Sequence, residues 1–172
     1  IEFAHEIRLN HDENHSDYRV NQELNEGQYV LNEFSGRGGC SEVWRAYDKT
    51  EMRFVAIKIQ RMNKTWPDSV KQNFIRHTGR EIMIMKSTQH QNVVAFYGYF
   101  FIGDDTLAIV MEFCNGGDLS MMLKKRGKIP EKEAKVILAQ VINGLMALRS
   151  EEMYVIHYDL KPGDILFDES GT

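Results

Sequence analysis

From Tyr29 onward, apolar and polar residues alternate in short runs separated by turn-forming residues: Tyr29–Phe34, Ser41–Tyr47 and Phe54–Gln60. A period of two is that of a strand with one buried face, so the pattern predicts an antiparallel meander. The period then lengthens. Phe74, Ile75, Thr78, Ile82, Met85 and Lys86 recur at steps of three and four and predict a helix over Ser69–Ser87. Strands return at Val93–Ile102 and Thr106–Phe113. Beyond them two helices follow, Leu119–Lys125 and Glu131–Ser150, the second opened by Pro130 at its first helical position. Ala134, Ile137, Leu138, Val141, Ile142, Leu145 and Leu148 give that long helix one apolar face for core packing. Residues Met153–Asp168 read as an apolar loop, and Glu169–Thr172 as a turn. Residues 1–28 are polar and read as an exposed, partly ordered lead-in. Its His11 and His15 stand at helical spacing but lack the further convergent ligands a metal needs.

Composition narrows the class. With 172 residues, 42% hydrophobic and 27% charged, the chain has the material for a core and is neither disordered, collagenous nor a disulfide miniprotein. A formal charge of −4 leaves no global basic field to recommend nucleic acid or an anionic membrane as partner. Cys40 and Cys114 lack metal-ligand spacing and fit reduced thiols in cytosol or nucleus. No apolar stretch is long enough for a transmembrane helix, and the segment after Ile1 is too charged for a signal peptide. The chain lacks an initiating methionine, which suggests an excerpt.

Five stretches could carry chemistry, the third of them Arg80–Met85 (REIMIM) with Glu81. Gly36–Trp44 (GRGGCSEVW) packs glycines between two strands, where bare backbone N–H groups can approach phosphate oxygens; a tight hairpin has the same composition. In Val55–Lys58 (VAIK), Ala56 and Lys58 point the same way from a strand, leaving room for a flat ligand beside an ammonium, although a lone strand lysine is commonly just solvated. Glu81, on the predicted helix, could hold Lys58 or simply face water. Ile109–Leu119 (IVMEFCNGGDL) runs from a buried strand into a glycine-rich link, fit either to read a heterocycle's edge or to join two lobes. The fullest signal is His157–Leu166 (HYDLKPGDIL), with Asp159, Lys161 and Asp164 in one short loop: a base, a cation and a possible metal ligand.

In this order the motifs resemble the signature of the eukaryotic protein kinases. The GRGG opening, the loop ending in SEV and the HYD form of the catalytic loop are similar to the tousled-like serine/threonine kinases over about Tyr29–Phe167. The resemblance implies an α+β, kinase-like bilobal fold. It would comprise an N-lobe over 29–113 with a five-stranded antiparallel sheet and helix C, a hinge over 114–118, and the start of a helical C-lobe over 119–172. It implies ATP and Mg2+ as cofactors, a protein Ser/Thr hydroxyl as acceptor, and, by kinship alone, a nuclear setting with histone chaperones among the partners.

Carried onto this sequence, the resemblance has Gly36, Gly38 and Gly39 cover the phosphates, while Lys58, paired with Glu81, binds them. Met111 is the gatekeeper, the backbone of Glu112 and Cys114 reads the adenine edge, and Val43, Ala56 and Leu166 enclose its faces. Asp159 takes the hydroxyl proton, and Lys161 neutralises the moving phosphoryl group. Three residues depart from the pattern. Ser41 replaces the third glycine. Tyr158 replaces an arginine that pairs with a phosphorylated loop, implying activation without that contact. Asp164 stands for the metal-binding asparagine, offering magnesium a ligand but no amide to steady the loop. No DFG occurs before Thr172, so the polypeptide alone is expected to be inactive while its parent is an enzyme. The alternative is a truncated or degenerate kinase-like module that binds nucleotide or a partner without catalysis. An unrelated nucleotide-binding fold would require the motif order to be accidental.

Overall fold

A computed structural model describes residues 16–149 and 155–168; His11, His15, Ser150 and the expected turn at Glu169–Thr172 lie outside them. In chain order the elements are β1 (Glu23–Leu24), β2 (Tyr29–Gly38), β3 (Ser41–Asp48), β4 (Arg53–Arg61), α1 (Asp68–Ser87), β5 (Phe96–Ile102), β6 (Thr106–Glu112), α2 (Leu119–Arg126), α3 (Glu131–Ala147) and a 3-10 turn at Pro162–Asp164. They cluster into two compact units: residues up to Gly79 with Phe96–Phe113, and Arg80–Ala95 with the chain from Cys114 on.

The first unit is built on one antiparallel sheet in the order β1-β2-β3-β4-β6-β5. β3 alternates between buried and half-buried positions along its whole length, as a strand with unlike faces must. The inner face carries Leu31, Trp44, Ala46, Val55, Ile57, Ile59, Ala108 and Val110 as one apolar cluster. Each large aliphatic side chain there contributes roughly 1.5–3 kcal/mol by leaving water. Tyr29 of β2 stacks on Phe100 of β5, ring centroids 5.4 Å apart and planes within 8°. Those strands are far apart in the sheet order, so the sheet curls around its core.

The sheet has six strands where five were expected. The extra one, β1, belongs to the lead-in and is joined to β2 by a turn through Asn25, Glu26 and Gly27, all at positive φ. Residues 16–28 are accordingly more fixed than their polarity suggests. Leu24 is buried and Tyr18 packs on the core, the Asn21 N–H donates to the Leu31 carbonyl (2.7 Å), and Asp17 pairs with Arg61. Burial raises the Tyr18 phenol above its usual pKa, nearby Arg61 partly opposing.

Along α1 the half-buried stripe runs through Phe74, Glu81, Ile82 and Met85, with Thr78 buried. Ile75 and Lys86, expected on that face, are exposed, since both lie just past the Ile82 edge of the stripe on the helical wheel. Thr78 donates its hydroxyl to Gln60 Oε1 of β4 (3.1 Å), a buried polar contact that fixes the helix's rotation over the sheet.

In the second unit, Pro130 is the N-cap of α3 and not its first helical residue; its ψ of 144° is extended. The helix ends at Ala147, short of the Ser150 expected, with Leu148 as its cap. Ala134, Ile137, Val141, Leu145 and Leu148 are half-buried, whereas Leu138, Ile142 and Met146 form an exposed strip one turn apart. Asp118 caps α2 by accepting the Met121 N–H (2.8 Å), and Arg126 joins α2 to α3 through two hydrogen bonds to Glu133.

Candidate functional site

The residues singled out by sequence fall into two sets, one in each unit. In the first, cross-strand register decides which side chains share a face: Val43 pairs with Lys58 and Lys58 with Ile109, while Ala56 pairs with Met111. Val43, Ala56, Lys58 and Met111 therefore lie together on the sheet face opposite the apolar cluster. Gly36 pairs with Val43 and Gly38 with Ser41, which puts both glycines on that same face. A β-carbon added to either would meet nothing within 4 Å, so the surface above the lysine is bare backbone. Lys58 is held between Ile57 and Ile59, both buried in the core, so its stem is anchored while its ammonium end lies on the other face.

The glycine segment is continuous with its strands. β2 runs to Gly38 and β3 starts at Ser41, leaving a two-residue turn, Gly39-Cys40. Gly39 has φ +52°, the left-handed region a side chain rarely enters. Ser41 needs no such freedom, since its φ is not positive, and its hydroxyl closes the turn by donating to the Gly38 carbonyl (2.9 Å). Burial pushes the Cys40 thiol up to about 11. Glu112 pairs with Val55 and projects to the side opposite Met111, leaving only its backbone for the role assigned to it.

In the second unit the link after Cys114 is laced to the segment Ile165–Phe167. The Gly116 N–H donates to the Phe167 carbonyl, the Phe167 N–H to the Gly117 carbonyl, and the Leu119 N–H to the Ile165 carbonyl, each at 2.9 Å. Phe167 is buried while Leu166, one residue before it, is exposed. Asp159, Lys161 and Asp164 stand in one short exposed loop. The Lys161 ammonium is 3.5 Å from Asp159 Oδ2, and the Lys161 N–H donates to Asp164 Oδ2 (3.1 Å). Asp164 thus steadies the loop as an acceptor, the work for which an amide donor was expected. Tyr158 has φ +60° and is 89% exposed, with the Asp159 N–H donating to the His157 carbonyl across it (2.7 Å). This three-residue turn aims Asp159. Glu81 is half-buried in the second half of α1.

Sequence reasoning missed two anchors. Gly116 cannot carry a β-carbon, which would lie 2.4 Å from the Asp168 carbonyl oxygen. Asn92 donates to Gln140 Oε1 (3.1 Å), and its own carbonyl lies where a β-carbon on Gly144 would sit, 2.6 Å away. A glycine inside a helix was the available signal of that close approach. A cavity of about 380 Å³ between α2 and α3, lined by Met122, Val136, Ile137 and Phe167, holds none of the residues singled out by the motifs.

The chemistry of this arrangement suits a nucleoside triphosphate: bare backbone and an ammonium for phosphates, small and apolar side chains for a planar base. Among the described residues no three carboxylate, imidazole or thiol groups gather as a metal cage. Magnesium needs no such cage when phosphates supply most of its ligands.

The model of the protein kinase domain family matches residues 29–172, and the chain belongs to that family. Its α+β architecture, a curled antiparallel sheet with helices, is the fold class the motifs implied. Among its relatives are the serine/threonine-protein kinase tousled-like 2 of Mus musculus, 42% identical over 161 residues, and the serine/threonine-protein kinase TOUSLED of Arabidopsis thaliana, 43% identical over 145 residues. These alignments cover 94% and 84% of this chain but 22% and 21% of those proteins. The chain thus spans about a fifth of the length of the relatives it matches. No helix among the described residues is long and apolar enough to cross a membrane.

Proposed function

We propose that this chain carries ATP-binding and phosphoryl-transfer residues of a protein serine/threonine kinase. The observation that supports this reading best is the sheet face on which Gly36, Gly38, Val43, Ala56, Lys58 and Met111 share one register. In this reading the glycine backbone, with Gly39 at the turn, and the Lys58 ammonium hold the phosphates. The counter-charge of that lysine falls to Glu81. Val43, Ala56, Met111 and Leu166 contact the base, whose edge is read by the backbone of Glu112 and Cys114. Magnesium, when bound with ATP, would take a ligand from Asp164 and draw charge from the phosphates.

Asp159 then orients the acceptor. A Ser or Thr hydroxyl oxygen forms the bond to the γ-phosphorus, the bond from that phosphorus to the β-phosphate bridging oxygen breaks, ADP leaves, and the hydroxyl proton passes to Asp159. Lys161 offsets negative charge on the phosphoryl group in transit. By kinship with tousled-like kinases, histone chaperones in the nucleus are the acceptors to try first.

In the full-length protein, Asp159→Asn abolishes phosphate transfer to a test protein by at least about a hundredfold while ATP still binds. Transfer retained by that variant refutes the assigned base. Asp164, where kinases have asparagine, favours the competing reading of a nucleotide-binding module without catalysis; wild-type protein that binds ATP and transfers nothing would establish it.

A further inference from the structure

Arg37 sits between Gly36 and Gly38 and pairs in register with Glu42. The two therefore share the sheet face opposite Lys58. There the Arg37 guanidinium lies 3.2 Å from Glu42 Oε2, and the other carboxylate oxygen accepts the Ser16 hydroxyl at 3.0 Å. Glu42 is buried, an unusual place for a carboxylate beside an exposed turn. One carboxylate thus joins three things: the strand leading out of the glycine turn, the only charged side chain within Gly36–Gly39, and the lead-in at Ser16. The lead-in is itself tied down nearby, by Tyr18 against the core and by Asp17 on Arg61.

We infer that Glu42 is a positioning residue for the phosphate-binding turn and couples it to the lead-in segment through Ser16. Two consequences follow from the register. Holding Arg37 on the far face keeps Gly36 and Gly38 presented bare toward Lys58, so ATP binding does not first have to order the turn. Fixing the pair to Ser16 makes the turn's order depend on a segment that precedes the matched family region, which starts at residue 29. The inference rests on the nucleotide reading of the same face, and concerns the phosphate end of the ligand alone.

Titrating the chain with ATP and, separately, with adenosine tests it. Glu42→Gln and Ser16→Ala each weaken ATP about three- to tenfold, the effect of losing part of a half-buried charged contact, and leave adenosine within twofold. The exchanged pair, Arg37→Glu with Glu42→Arg, recovers at least half of the loss in logarithmic terms. A structural defect would lower both ligands in parallel, and that result overturns the inference. So does unchanged ATP affinity, or tighter ATP binding by Glu42→Gln, which would mean that a released Arg37 serves the phosphates itself. Wild-type protein that binds neither ligand refutes the nucleotide reading and takes this inference with it. Wild type that binds both, with insensitive variants, sinks the inference alone.

Discussion

At the scale of single residues, two glycines in similar-looking runs do different work. Gly116 lies where any β-carbon would meet Phe167 and the Asp168 carbonyl at 2.4–2.8 Å, mostly backbone that cannot step aside. Gly38 has open space around it and no positive φ. Gly116→Ala is therefore expected to cost about 1–3 kcal/mol of stability, as overpacking does, and Gly38→Ala within about 0.5 kcal/mol of nothing, both measured by urea denaturation. The motifs singled out Lys58, Asp159 and the glycines because the kinase signature they resemble has a fixed order along the chain. Gly116 and Asn92 were not legible in the same way, because their reason lies in a distant backbone segment that only folding brings near. Tyr158 is a third kind: its identity was plain in the sequence, while its left-handed backbone, set by the hydrogen bond across it, was not.

At the scale of elements, periodicity located every strand and helix from Tyr29 onward within a few residues, since alternation and the 3.6-residue repeat are direct prints of burial. It failed where burial comes from tertiary docking. The lead-in reads as polar because most of its contacts are hydrogen bonds and ion pairs, with Tyr18 and Leu24 its apolar ones, yet it supplies a strand and a cover for the core. Ends were weaker too: β2 extends through Gly38, and α3 stops at Ala147. The α2–α3 pair yields a pH dependence. The Arg126 hydrogen bonds hold the Glu133 carboxyl below the usual glutamate range, with slight burial opposing. A carboxyl whose folded pKa is depressed stabilises above its unfolded value, near 4.3, and loses that contribution as pH falls through the folded one. Denaturant midpoints of wild type and Glu133→Gln should therefore differ modestly at neutral pH and converge in acid. A constant offset down to pH 3 would exclude this ion pair as the source.

At the scale of the whole molecule, the apolar surface is distributed unevenly. Leu138, Ile142 and Met146 are 58%, 47% and 66% exposed and follow one another along α3. Contiguous apolar strips of this kind bind hydrophobic dyes and lower solubility. Replacing all three with serine should cut 1-anilinonaphthalene-8-sulfonate fluorescence of the 172-residue chain by half or more, with the circular dichroism spectrum preserved. Unchanged fluorescence would place the dye-binding surface elsewhere. The amphipathic pattern predicted the helix but assigned Leu138 and Ile142 to its packed face, because a helical wheel cannot tell which part of a broad apolar arc meets a neighbour.

One further consequence comes from the two register irregularities in β2, between Leu31 and Glu33 and between Phe34 and Gly36. The first lies near the base of the hairpin and the second just before its glycine-containing end, where three register pairs lead to a two-residue tip with almost no slack. A ribbon interrupted at those two points is expected to bend there, so a displacement of Cys40 would report rotation of the short Gly36–Val43 arm beyond the second irregularity, not curling of its end.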